Sequence, residues 1–329
     1  GGADSWRWVV AATGVAAAVY GVAYGRLVTD TPDGVAYQST KKASALEVTS
    51  PGAVRGLMAL SIPLGVALGV IAWRVWKVGV IGTAGLTLGI VASAVLLGVQ
   101  LLAVHRTNAR ARADAYPEEE RFPFASVAVL SFAYACTFGS ELAAVSFLPT
   151  FFETTWGLST AVAGAAASAF AVMNLVSRPS GGIISDLVAS RRRWLTLLLG
   201  CLAAGYLVLS RVTGAWPVAV AIAVVLVTSL FAQAGNGAVY AIVPLVKKRV
   251  SGQIAGLAGA YGNVGGIVFL TSLLFVSVQT VFVIMGGASL LAAIACRWLV
   301  EPARSHARTT ADEPVVAAPV RELATVGSP

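Results

Sequence analysis

The chain has 329 residues, 57% of them hydrophobic and 12% charged, with a mean hydropathy of +0.80. A soluble domain carries about 25% charged residues, so a water-soluble fold is excluded: too few polar side chains are present to cover its surface. The formal net charge of +8 comes from short basic clusters between apolar runs, the pattern of membrane topology and not of a nucleic-acid-binding surface.

Apolar runs of bilayer length predict an all-α integral membrane protein with about nine spans. They lie near 6–25, 53–73, 79–104, 124–148, 158–184, 194–211, 216–245, 253–276 and 279–299. The first span begins close behind Gly1 with no signal-peptide pattern, and the sequence reads as a chain lacking an N-terminal portion. Residues 29–50, rich in Thr, Ser and Lys, read as a polar linker without packed structure. The second and third spans are joined by a tight turn at Arg74-Val75-Trp76-Lys77, and form either two spans or a re-entrant or interfacial hairpin. Residues 302–329, rich in Pro, Ala and Val, read as a disordered tail. With the N-terminus outside, most basic residues fall on the cytoplasmic side, including Arg106, Arg110, Arg112, Arg191, Arg192, Arg193, Lys247, Lys248 and Arg249. Arg7, Arg74, Lys77 and Arg211 fall outside. That asymmetry predicts a cytoplasmic C-terminus.

Cys136, Cys201 and Cys296 lie in apolar runs without CxxC spacing and read as small packed hydrophobes. His105 and His306 read as loop residues. No metal-ligand or nucleophile constellation falls within a span, so neither an enzyme, a metal site nor a cofactor is expected.

Ionisable residues at membrane depth are costly and mark function. Two are evident, Glu141 and Arg178. Asn174 and Arg178 are four apart and share a helix face with Phe170. The planar, permanently charged guanidinium fork can hold two oxygens of a planar oxyanion, and the Asn amide adds donors without charge. Pro179 and the following glycines loosen this helix. The structural alternative is an ion pair of Arg178 with Glu141. Tyr134, Phe138 and Glu141, at i, i+4 and i+7, line one face of their own helix. A carboxyl group caught between low dielectric and a nearby cation is suited to proton exchange. Charge balance for Arg178 is the competing role.

The span 253–276 is glycine-dense. Gly262 and Gly266 form a GxxxG, and Gly252, Gly256, Gly259, Asn263 and Gly266 form a narrow stripe suited to close helix contact or to a small ligand held by Asn263. Gly235-Asn236-Gly237 in the preceding span reads likewise. Asp186, closing one helix ahead of Arg191, Arg192 and Arg193, predicts a charge latch on the cytoplasmic face, where a simple positive-inside anchor is the alternative.

Together these stretches resemble the major facilitator superfamily and, within it, the nitrate/nitrite porter family. Gly181-Gly-Ile-Ile-Ser-Asp186-Leu-Val-Ala-Ser-Arg191-Arg-Arg193 is similar to the superfamily loop motif, departing from it at Leu187 and Ala189. Ala258-Gly-Ala-Tyr-Gly-Asn-Val-Gly-Gly266 resembles the family's second nitrate signature. Arg178 before Pro-Ser-Gly-Gly matches its substrate arginine, and Tyr134 and Phe138 its pocket aromatics. The run from Thr137 to Phe152 is most similar to the cyanobacterial branch. The resemblance covers residues 1–28 and 124–300. It implies four parts: the last helix of an N-terminal bundle (1–28), a linker with an inserted hairpin (29–123), a C-terminal six-helix bundle (124–300) and a cytoplasmic tail (301–329). It places the first five helices, with the first nitrate signature and a second substrate arginine, outside this sequence. The implied function is proton-coupled transport of nitrate or nitrite across a bacterial inner membrane, by a monomer when complete. Arg178, Asn174, Tyr134, Phe138, Gly262 and Asn263 would bind substrate, Glu141 would carry a proton, and Asp186 with Arg191, Arg192 and Arg193 would gate the cytoplasmic side. A facilitator for organic anions or drugs and a non-transporting membrane scaffold are the other readings.

Overall fold

A computed structural model describes residues 5–29 and 44–301, so most of the 29–50 segment, Lys41 and Lys42 among it, and the tail with His306 lie outside the described residues. Among those described there is no strand, and nine helical stretches are long and apolar enough to cross a membrane. The chain divides into two units. The first contains α1 (Ser5–Leu27), apolar all round as a bilayer-spanning helix is.

The second unit begins at Ala43. It comprises a hairpin of α2 (Pro51–Lys77) and α3 (Thr83–Thr107), the short α4 (Ala109–Arg112), and a bundle. The bundle helices are α5 (Phe124–Trp156), α6 (Thr160–Val172), α7 (Asn174–Leu187), α8 (Arg191–Leu209), α9 (Val218–Val246), α10 (Ser251–Ser272) and α11 (Val278–Ala295). Ser50 caps α2, its Oγ accepting from the Ala53 N–H at 3.2 Å, with Pro51 at the first helical position. The turn expected at Arg74–Lys77 is instead helix. Nothing in Arg-Val-Trp-Lys breaks a helix, and the chain reverses at Val78–Gly82, where Gly79 takes φ +78°. Both arms of the hairpin reach spanning length, 27 and 25 residues.

Residues 44–50 correct the reading of a loose linker, because Ala45, Leu46, Val48 and Thr49 are buried. Asn108 makes this possible. Its Oδ1 accepts from the Val48 N–H at 2.8 Å, and its Nδ2 donates to the carbonyls of Leu46 and Val104. The segment's backbone is satisfied by a side chain 60 positions away, so it can be buried despite its polar composition.

Two further departures concern the bundle. α5 runs to Trp156, past the expected end at 148, and stops where Gly157 adopts φ +65°. The expected span 158–184 is broken at Met173 into α6 and α7. The Phe170 carbonyl accepts from Ser229 Oγ at 3.0 Å and Gln233 Nε2 at 2.7 Å, so α9 side chains insert into the hydrogen-bond ladder near the break.

Candidate functional site

Three helices meet at the run Gly235-Asn236-Gly237 of α9. A Cβ at Gly235 would lie 2.6 Å from Thr137 Cγ2 of α5. One at Gly237 would lie 2.0 Å from the Arg178 carbonyl of α7, and one at Gly181 would lie 2.0 Å from the Ala234 carbonyl. The glycines therefore let α5 and α7 press onto α9, and Asn236 stands between them.

Glu141 of α5 lies at this junction, 7% exposed. Asn174 Nδ2 donates to its Oε1 at 2.6 Å, and Asn236 Nδ2 donates to Oε2 at 2.6 Å. Arg178 Nη2 donates to the same Oε2 at 3.1 Å. Every partner in this set is a donor, which is the arrangement a carboxylate requires. The ion pair weighed in the sequence is therefore formed. It does not seal Arg178 from solvent, because the Arg178 side chain keeps 37% of its surface exposed while that of Glu141 keeps 9%. Most of the guanidinium fork is left unused by the pair, and Nε has no partner.

The aromatic face adjoins this cluster. The Phe138 ring centroid is 5.5 Å from Arg178 Cζ, within cation–π range. Tyr134 and Phe138 stack with centroids 5.1 Å apart, and Tyr240 of α9 meets Tyr134 edge-on at 5.0 Å. Gly262 underlies both α5 rings: a Cβ there would lie 2.6 Å from Phe138 and 2.8 Å from Tyr134. Asn263 stands apart from the cluster. It is exposed, and its Nδ2 donates to the Gly259 carbonyl of its own helix at 3.1 Å.

The glycine stripe of α10 divides differently from its sequence pattern. The face that packs is Gly262, Gly265 and Gly266, where Gly265 abuts the Ala135 carbonyl of α5 and Gly139 abuts Gly265. Gly252 and Gly256 have open space beside them. Periodicity groups residues onto a face but does not say which face meets a neighbour.

At the far end of α7, Arg191 Nη1 pairs with Asp186 Oδ1 and also donates to the Ala241 carbonyl at 3.3 Å. Arg191 is buried, and Trp194 Nε1 donates to the Gly181 carbonyl at 3.1 Å, tying α8 to α7. Of the three arginines only Arg191 pairs with Asp186. The backbone N–H of Arg192 donates to Glu301 Oε1 at 2.9 Å, and Arg193 N–H donates to the capping Ser190 Oγ. Glu301, the first residue of the expected tail, carries no signal in the sequence. Asn236, whose flanking glycines suggest close helix contact or a small ligand, instead donates to the Glu141 carboxylate. Tyr240 carried no signal beyond its place after that run.

Residues 130–327 match the family model described as Major Facilitator Superfamily. The chain is similar to the nitrate/nitrite transporter NrtP of Nostoc punctiforme, 44% identical over 312 residues, which cover 93% of this chain and 62% of the relative. It is 43% identical over 278 residues to the NrtP of a Picosynechococcus species, covering 83% and 52%. The high affinity nitrate transporter 2.7 of Arabidopsis thaliana is 34% identical over 146 residues, 43% of this chain and 29% of that protein. The chain spans between half and two thirds of the length of the first two. A match over 93% of the chain takes in most of the α2–α3 hairpin, whereas one over 43% cannot reach from the hairpin to the end of the bundle.

Proposed function

This chain belongs to the major facilitator superfamily, and from that premise we propose that it is the part of a nitrate or nitrite transporter that holds the anion through Arg178. The observation that carries the reading is the half-exposed Arg178 guanidinium, fixed on one side by Glu141 and bordered by the Phe138 ring. Its unused donors suit two oxygens of a small planar anion. Asn174 adds an amide beside it, and Tyr134, Phe138 and Gly262 make the neighbouring wall narrow, which disfavours bulky organic anions. Exposure of Arg178 likewise disfavours a scaffold in which the pair is purely structural. Asn263, on the open face of α10, would contribute from a surface facing further protein and not from the Glu141 cluster.

An anion arriving at Arg178 competes with Glu141 for the guanidinium. A carboxylate that loses its cation partner in low dielectric takes up a proton, so anion binding and protonation are linked at one pair of side chains. The need for such linkage is energetic. Carrying one negative charge into a negative cell costs about 2.3 kcal/mol per 100 mV, and moving two protons with it reverses the sign. The Asp186–Arg191 pair, with Arg192 and Arg193 beside it, would form the cytoplasmic gate of an alternating-access cycle. Orientation follows the basic clusters: C-terminus in the cytoplasm, in a bacterial inner membrane, the complete protein acting as a monomer.

The test is uptake in proteoliposomes carrying the complete protein. Arg178→Lys keeps the charge but loses the fork, and nitrate affinity is expected to fall at least tenfold; near-normal affinity would reduce Arg178 to a point charge. Glu141→Gln is expected to keep nitrate binding, lose accumulation against a gradient and retain some downhill exchange. Proton flux per nitrate equal to wild type in that variant would move the coupling site away from Glu141.

A further inference from the structure

We propose that the seam between α2 and α10 holds an anionic phospholipid at the end of the hairpin nearest its turn. A groove of about 370 Å³ runs along this seam, lined by Val70, Ile71, Val75, Ile267 and Leu270, and Arg74 lines it as well. Arg74 Nη1 donates to the Leu270 carbonyl at 2.9 Å, in the last turn of α10 where backbone carbonyls lack helical partners. That bond engages one of five guanidinium donors. Among the described residues neither Arg74 nor Lys77 has a carboxylate within ion-pair distance.

The surroundings set the depth and chemistry of the occupant. Trp73 stacks on Phe275, with ring planes 5° apart, and Lys77 Nζ lies 5.2 Å from the Trp73 ring centroid. Tryptophan beside basic residues at a helix end is the composition of the headgroup region of a bilayer. Two uncompensated cations therefore sit at headgroup level, at the mouth of an apolar groove that leads towards the bilayer interior. A lipid phosphate meets Arg74 and Lys77 while its acyl chain follows Val70, Ile71 and Ile267. A zwitterionic lipid brings its own cation to the same place, so charge complementarity selects an anionic headgroup. The lipid would join hairpin to bundle at this end of the α2–α10 seam, where Arg74 supplies the direct polar bond.

The experiment uses the full chain purified in detergent, with bound lipids counted by native mass spectrometry and thermal unfolding followed in parallel. Phosphatidylglycerol and phosphatidylcholine of matched chains are the probes, with inorganic phosphate as competitor. One phosphatidylglycerol is expected to resist a tenfold excess of phosphatidylcholine and to raise the unfolding temperature. The double variant Arg74→Gln, Lys77→Gln should lower its retention at least tenfold. Val75→Trp, which fills the groove and leaves both cations in place, should do the same. Equal retention of the two lipids, or phosphatidylglycerol stabilising wild type and the double variant alike, overturns the proposal and leaves Arg74 as a cap on α10. Full displacement by inorganic phosphate also overturns it, by showing a free-anion site.

Discussion

The α7–α9 crossing and the α2–α10 seam are both helix contacts within one unit, and they are built on opposite plans. At the crossing, backbone meets backbone: methyl groups on Gly181 and Gly237 would fall 2.0 Å from carbonyl oxygens. At the seam, side chains meet backbone. Tyr261 Oη donates to the Leu60 carbonyl at 2.8 Å and Arg74 to that of Leu270. Grooves of about 470 and 370 Å³ lie along α2 and α10, the larger also lined by α3 and by Ala45 and Leu46. Packed cores are bistable and not continuously deformable. The crossing therefore holds α7 close against α9 beside Glu141, Arg178 and Asn236, while the seam is held through side chains.

The sharpest way to break this comparison is Gly237→Leu. The added side chain must displace α7 from α9, because the opposing atom is the Arg178 carbonyl and not a side chain that could rotate away. Overpacking typically costs about 1–3 kcal/mol and sometimes more. Here the upper end or beyond is expected, with loss of the Glu141 contacts. Thermal unfolding in detergent measures it; a variant within 1 kcal/mol of wild type would mean that the crossing is looser than its backbone distances imply.

A smaller effect is expected at the seam. Tyr261→Phe removes the bond to the Leu60 carbonyl and leaves the ring in place, for a loss of about 1 kcal/mol. Asn108→Ala, at the open end of the hairpin, removes three hydrogen bonds to backbone of α3 and of the segment before α2. It should cost more than Tyr261→Phe, about 1–3 kcal/mol for each group left unsatisfied and not rehydrated. The order Gly237→Leu, Asn108→Ala, Tyr261→Phe is the prediction. Tyr261→Phe as damaging as Gly237→Leu would place the hairpin within the rigid core.

How much of this was legible in the sequence follows the same division. Arg178, Asn174 and Glu141 stood out because ionisable and amide groups are rare within apolar runs, and spacing alone put Tyr134, Phe138 and Glu141 on one face. The motifs around Asp186 and Gly262 pointed to the family that residues 130–327 match. Features requiring a second helix were not legible. The break at Met173 involves Ser229 and Gln233, some 60 residues away. Burial of residues 44–50 depends on Asn108. The part played by Asn236 depends on which helices cross at its two glycines. In each case the deciding partner lies on another part of the chain.

The smallest predicted effect has the opposite sign and lies within α10 itself, whose two faces repeat the contrast. Gly262 supports the Tyr134 and Phe138 rings, so Gly262→Ala must push an aromatic aside. One and a half turns earlier, Gly256 is exposed with nothing within 4 Å of an added methyl group. In a helix interior Ala is favoured over Gly by about 0.5–1 kcal/mol, since glycine loses more conformational freedom on folding. Gly256→Ala in this chain should therefore raise stability by up to that amount. On the proposed alternating-access cycle, the absence of a side chain here allows close approach by a helix that moves against this face. The prediction divides accordingly: Gly256→Ala should raise the unfolding temperature of the chain slightly while lowering transport by the complete protein. A variant that is stabilised and transports at the wild-type rate would show that the open face of α10 meets lipid or water, not a sliding helix.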